Sequence, residues 1–197
     1  MRNFALLIAA FCVAATSPAR AYEQAYAPAS AEAIEVFVVP ATRWLSTAAE
    51  GRYFERSGEL FGRLFEYISA NDIAMTVPVE GRLDAAEMRF FVDPAVASAT
   101  SSQLVDVVST SARRVARLGG KGSYSEENIA AVRAKVEAWI AANPKWQASG
   151  PAYAVFWNGP LTPWFLKRFE VHIAIAPALE VSARAADVRT DGRDTSL

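Results

Sequence analysis

Thiols and imidazoles are nearly absent from this sequence, which has one cysteine, Cys12, and one histidine, His172. One of each cannot assemble the His and Cys sets that hold zinc, and no Gly-x-Ser-x-Gly elbow accompanies His172 as a serine hydrolase would require. No paired-carboxylate motif of recognisable spacing is present either. Neither sign of charge is in excess: twenty basic against twenty-one acidic side chains leave a formal charge of −1, so there is no broad basic field to collect nucleic acid or an anionic surface. The Gly119-Gly120-Lys121-Gly122 run lacks the spacing and the following Ser or Thr of a phosphate loop, and reads as a hairpin or loop bend. Long apolar runs are missing as well. The one candidate, residues 4–15, has twelve residues, short of the ~18 needed to span a bilayer.

That run instead belongs to a secretory signal over residues 1–21, because Arg2 precedes it and Pro18 and the small-x-small triplet Ala19-Arg20-Ala21 follow it. Phe11 is too bulky for a lipoprotein cleavage site before Cys12. Export to the periplasm or the medium therefore yields a mature chain from Tyr22 with neither thiol nor disulfide, whose stability must come from its core. Losing Arg2 and Arg20 takes the charge from −1 to −3.

What is present is material for a core. Apolar residues make up 52% and charged residues 21% of 197 residues, which excludes global disorder and fits one domain. Residues 22–33 are rich in Ala, Ser and Pro without periodicity and read as a flexible leader. The domain occupies 34–177, and alternating charged and small residues over 178–197 read as a disordered tail. Two segments carry the helical period. After Ser57, Leu60, Phe61, Leu64, Phe65 and Ile68 share a face, and after Ser125 the stripe is Ile129, Val132, Val136, Trp139 and Ile140, stopped by Asn143-Pro144. Strand-like stretches fill 34–39, 42–47, 74–80, 88–93, 104–109, 113–118, 153–158 and 168–175. The order of strands, helix and two strands then repeats, with 42–47 corresponding to 112–117 and 89–92 to 168–171. This predicts a pseudo-twofold α+β domain: one curved antiparallel sheet, one helix from each half, and one sheet face left uncovered.

Aromatics are the surplus, with five Trp and eleven Phe. The loop at 158–167 carries Leu161, Trp164, Phe165 and Leu166, large apolar side chains that in a loop must either cover the core or bind something. In the last strand, alternation turns Phe169, Val171, Ile173 and Ile175 inward and puts Arg168, Glu170 and His172 on the other face. His172 is there either a candidate haem-iron ligand or a half-exposed side chain hydrogen-bonded to a neighbour such as Glu170.

The strings Leu64-Phe65-Glu66-Tyr67-Ile68, Met75-Thr76-Val77-Pro78-Val79, Phe90-x-Val92-x-Pro94, Trp157-Asn158-x-Pro160 and Phe169-Glu170-Val171 resemble the SOUL haem-binding protein family. The resemblance spans most of 34–175 and departs in the first strand, which reads Ile34-Glu35-Val36-Phe37-Val38-Val39 where many members have Tyr-Glu-Val-Arg-x-Tyr. It implies a duplicated module of about eight strands in a distorted, barrel-like antiparallel sheet with two flanking helices, similar to effector-binding domains. It also implies a haem or related tetrapyrrole as ligand, in a cleft between the first helix (Phe61, Leu64, Phe65) and the last long loop (Leu161, Trp164, Phe165). Lys167 and Arg168 beside that loop suit an anionic, propionate-like end. His172 does not match the family's proposed axial-ligand position.

The reading is thus a non-catalytic tetrapyrrole-binding domain, with no nucleic-acid partner and no stable membrane anchor. The competing readings are a module for another flat amphipathic molecule and an enzyme on such a ligand with Glu35 or Glu170 as acid or base. The signal makes its own prediction. Cleavage after Ala21 should leave Tyr22 at the mature N-terminus, which mass spectrometry of exported protein checks; an intact Met1 or a lipidated Cys12 would refute it.

Overall fold

A computed structural model describes residues 23–93, 96 and 99–178 of the chain. The signal at 1–21, Tyr22, Pro94 and the tail from 179 onward lie outside the described residues. In chain order the elements are β1 (Glu23–Gln24), β2 (Glu35–Val39), β3 (Thr42–Ala48), α1 (Tyr53–Ala70), β4 (Thr76–Val77), β5 (Val79–Arg82), β6 (Glu87–Val92), β7 (Asp106–Thr110), β8 (Arg113–Lys121), α2 (Glu126–Ala141), β9 (Trp146–Phe156) and β10 (Arg168–Pro177).

Eight strands form one open antiparallel sheet in the order β2-β8-β10-β9-β5-β6-β3-β7. Exchanging the halves of the chain maps this order onto itself, with β2 answering to β7, β3 to β8, β5 to β9 and β6 to β10. The first strand of each half has crossed to the far edge of the other half. The two segment correspondences read from sequence are the β3/β8 and β6/β10 pairs of this pseudo-twofold.

Helix α2 starts where its sequence directs: Ser125 caps it by accepting the Asn128 amide at 3.3 Å, and Glu126 and Glu127 lie in the first turn, where the helix dipole favours acids. Helix α1 begins earlier than the Ser57 boundary. Its N-cap is Arg52, which makes no side-chain cap bond, and Tyr53 is buried in the first turn, so packing rather than capping sets the start. Leu60, Leu64, Tyr67 and Ile68 of α1 join Ile129, Val132, Val136 and Ile140 of α2 in one core with Phe90, Phe156, Phe169, Val171 and Ile173 of the sheet.

Several strand boundaries move for identifiable reasons. Pro78 cannot donate to a ladder, so the single strand expected over 74–80 splits: β4 pairs in parallel with β1, and β5 pairs with β6 and β9. Strand β9 begins at Trp146, because the far end of β10 holds it through pairs such as Pro177↔Trp146. The Gly119-Gly120-Lys121 run is strand, not a bend, and the turn lies at Gly122, whose φ is +110°. Within the strand, close approach requires glycine at 119 and 120. A Cβ on Gly120 would lie 2.4 Å from the Phe169 ring, and one on Gly119 would lie 2.9 Å from the carbonyl oxygens of Ala29 and Ser30.

Those carbonyls belong to residues 23–33, expected as a loose leader and found as a strap over the sheet face opposite the helices. Ala25 N–H donates to the Val77 carbonyl at 3.0 Å, and Gly119 N–H to that of Ser30 at 2.8 Å. Tyr26 packs there with Val39, Val77, Tyr153, Val155, Trp157 and Phe37. The face expected to be uncovered is therefore largely closed. From this packing, Gly120→Ala should cost about 1–3 kcal/mol of unfolding free energy by overpacking against Phe169. Denaturant titration checks it, and an unchanged midpoint would mean that the ring has room to move.

Candidate functional site

Under the strap lies a buried polar network centred on Glu170. Its Oε1 accepts from Ala29 N–H and from Trp157 Nε1–H, each at 2.6 Å. Its Oε2 lies 2.6 Å from His172 Nε2, and Arg117 Nη1 stands 3.7 Å away. His172 is fully buried, with Nδ1 3.2 Å from the Tyr153 hydroxyl, and Arg113 bonds both that hydroxyl and the carboxylate of Glu80. Arg117 also pairs with Glu35 at 2.9 Å and donates to the Ala27 carbonyl at 2.9 Å. Two buried atoms here, Tyr26 Oη and Glu80 Oε2, have no hydrogen-bond partner.

The expected hydrogen bond of His172 to Glu170 is present, but the half-exposed position on an open face is corrected, because the ring is fully buried. Strand alternation did place it opposite Phe169 and Val171, but the strap seals that face, and both ring nitrogens are engaged inside it. His172 does not line either cavity described below. Nor do Glu170 and Glu35, the candidate acid or base residues. Burial alone would raise the Glu170 carboxyl, yet the hydrogen bond and charge of His172, the Ala29 amide and Arg117 together hold it below the usual carboxylate range.

The open volume lies on the helix side, at the seam between α1 and the loop at 158–167. A cavity of about 470 Å³ is walled by Phe61 and Phe65 of α1, Met75, Val77, Val79, Phe156 and residues 158–162. A second, of about 270 Å³, shares Phe61, Val79, Phe156, Asn158 and Pro160 with it and adds Tyr53, Phe54, Met88, Tyr124 and Lys167. The walls are almost wholly apolar. Phe61 sits at the junction, stacked on Phe65 at 5.9 Å and edge-on to Phe90 at 5.4 Å.

The base of the loop is built from polar contacts. Asn158 accepts the Arg168 amide at 2.6 Å, and Asn158 N–H donates to the Tyr124 hydroxyl at 3.0 Å. The single proton of that hydroxyl is shared between the carbonyls of Arg168 at 3.0 Å and Asn158 at 3.2 Å. Burial pushes Tyr124 up to about 12, against the lowering effect of its backbone hydrogen bonds, so it stays a neutral donor at ordinary pH. Lys167 Nζ lies 4.9 Å over the Tyr124 ring at the edge of the smaller cavity, the one cationic group among the described residues that line the two cavities.

Of the residues singled out from sequence, Phe61, Phe65 and Leu161 line the larger cavity and Lys167 the smaller. Leu64 is wholly in the core. Trp164 and Phe165 are exposed at the loop tip and line neither cavity, and Arg168 borders a separate polar recess beneath the strap. Sequence reasoning missed Tyr53, Tyr124, Val79 and Phe156 as lining residues. The motifs Met75-Thr76-Val77-Pro78-Val79 and Trp157-Asn158-x-Pro160 held the signal for several others, since Met75, Val77, Asn158 and Pro160 are cavity wall.

An open, duplicated antiparallel sheet with two helices on one face is an α+β fold of the effector-binding-like class. The C-terminal domain of EcmrR has this fold, with a TM-score of 0.59 at 10% identity over 74% of this chain and 98% of that one. EcmrR in a complex with DNA gives 0.60 at 10% identity, over 74% of this chain, and this chain spans 57% of the EcmrR length. A hydrolase from Listeria innocua gives 0.53 at 11% identity, over 79% of this chain and all of that one (100%). At such identities the likeness is one of fold. No curated protein matches the chain. Within that class the chain belongs to the SOUL heme-binding protein family, whose model matches residues 21–174.

The strap network predicts an acid-dependent stability. Because the folded state lowers the Glu170 pKa, the stabilisation is fully present above the unfolded carboxyl value and is lost as pH falls through the folded one. Glu170→Ala should cost about 3–5 kcal/mol at neutral pH by leaving buried donors unpaired, and Glu170→Gln should flatten the acid limb of a melting-temperature profile. An unaltered acid limb in Glu170→Gln would show that other carboxylates carry it.

Proposed function

We propose that the protein is an exported, non-catalytic carrier that binds haem or a related tetrapyrrole in the paired cavities between α1 and the loop at 158–167. The observation that carries this reading is the apolar seam on either side of Phe61, in a chain of the SOUL family. Export rests on the sequence of residues 1–21. The larger cavity lies within the range of small-molecule pockets, ~300–1,000 Å³, and its walls suit a flat apolar ring. Lys167 at the edge suits a propionate. Among the described residues that line the cavities there is no imidazole or thiolate, and Met75 and Met88 supply the sulfur.

Binding held by apolar contact should be modest. Burying ~400 Å² of apolar ligand surface at ~25 cal/mol/Å² gives ~10 kcal/mol, less at least ~4 kcal/mol for lost rigid-body freedom. The remaining ~6 kcal/mol corresponds to tens of micromolar, and one ion contact of ~1.5–3 kcal/mol at the edge brings it near micromolar. Iron-free protoporphyrin should then bind within about tenfold of haem, and Phe61→Ala should weaken both by ~1–3 kcal/mol. Absorption titration tests this. Nanomolar haem binding with no protoporphyrin binding would overturn the reading, and failure of both would leave another flat amphipathic ligand.

A further inference from the structure

The loop between β9 and β10 is ordered at its base and bare at its tip. Leu166 N–H donates to the Pro163 carbonyl at 2.9 Å, Lys167 N–H to that of Trp164 at 3.2 Å, and Gly122 N–H to that of Lys167 at 3.0 Å. A single 3-10 turn, Trp164–Leu166, is thereby held in place. Yet Leu161 is 97% exposed, Trp164 66%, Phe165 61% and Leu166 58%. Trp164 and Phe165 touch each other edge to face at 5.8 Å and belong to neither core cluster. Four large apolar side chains, three of them on a braced turn, are costly to leave in water, and a patch of this kind marks a docking surface.

Its chemistry selects the occupant. Residues 158–168 contain no acid, and the apolar cluster runs directly into Lys167 and Arg168. Trp with Phe and Leu, bordered by Lys and Arg, is the composition that settles at the boundary between lipid headgroups and acyl chains. The patch is also continuous with the cavity mouth, because Leu161 and the half-exposed Phe65 belong both to the exposed surface and to the wall of the larger cavity. No helix of the described residues is long and apolar enough to cross a membrane.

We propose that the tip at 161–168 docks on an anionic bilayer. Leu161, Trp164, Phe165 and Leu166 enter the interface, Lys167 and Arg168 meet lipid phosphates, and the cavity mouth faces the membrane. The docking stands on the tip alone. Its use, passing an amphipathic ligand between bilayer and cavity without crossing water, rests on the ligand reading above.

The test is cosedimentation of the purified protein with phosphatidylcholine vesicles and with vesicles containing about 30 mol% phosphatidylglycerol, an anionic fraction that gives a surface potential attracting basic residues. The wild-type chain should partition onto the anionic vesicles and weaken in high salt. Trp164→Ser with Phe165→Ser should lower that partition about tenfold or more, and Arg168→Gln about fivefold. Each variant is compared with the wild-type chain of the same length, so the apolar run at 4–15 is common to both. Protoporphyrin titration without vesicles should be unchanged in the double variant and weakened in Phe61→Ala, whose vesicle binding should in turn be unchanged. Absence of vesicle binding, or equal binding by the double variant, overturns the proposal. So does concentration-dependent self-association that the double variant abolishes without vesicle binding, which would make a second copy the occupant. Loss of porphyrin binding in every chain would sink the ligand reading while the vesicle result still decides the docking.

Discussion

A buried carboxylate is tolerable only when its desolvation, which costs several kcal/mol, is offset by well-placed donors. Glu170 has them: the Ala29 amide, the Trp157 indole and the His172 ring at 2.6 Å each, with Arg117 at 3.7 Å. These donors come from the strap, the end of β9, β10 and β8. One side chain therefore joins the N-terminal segment to the three strands of the second half. With the strap in place, Tyr26, Phe37 and Trp157 form a second small core, and the sheet is largely covered on both faces.

The cavities arise where the two halves break their symmetry. Helix α2 packs across β8, β10 and β9, whereas α1 packs chiefly on β6 and β3. By the pseudo-twofold, α1 would lie over β5 as α2 lies over β9. It does not cover it fully, and Val79 of β5 together with Phe156 of β9 is left to wall the open seam. The long loop between β9 and β10, held at its base by Asn158 and Tyr124, overhangs that seam. A site of this origin is apolar by default, since it is a gap in the core rather than an assembly of catalytic groups. Among the described residues, the buried charged groups Glu80, Arg117 and Glu170, with His172, are committed to the other face.

Sequence by itself determined the class of fold. The stripes Leu60-Leu64-Ile68 and Ile129-Val132-Val136-Ile140, the β-branched runs and the doubled order of elements are local or periodic features, and periodicity survives any tertiary arrangement. Alternation likewise assigned Phe169, Val171 and Ile173 to the core face and His172 to the opposite one. Only tertiary structure decided what covers that opposite face. Residues 23–33 have no period of their own, and their order comes from partners far along the chain, at Val77, Arg117, Gly119 and Glu170. For the same reason Gly119 and Gly120, which read locally as a bend, are strand: the strap carbonyls and the Phe169 ring leave no room for a Cβ. The loop's aromatic surplus was legible as unusual. That residues 158–162 border a cavity while Trp164 and Phe165 do not depended on how Asn158, Tyr124 and Lys167 orient the loop base, a geometry set by contacts between β9, β10 and the segment after β8.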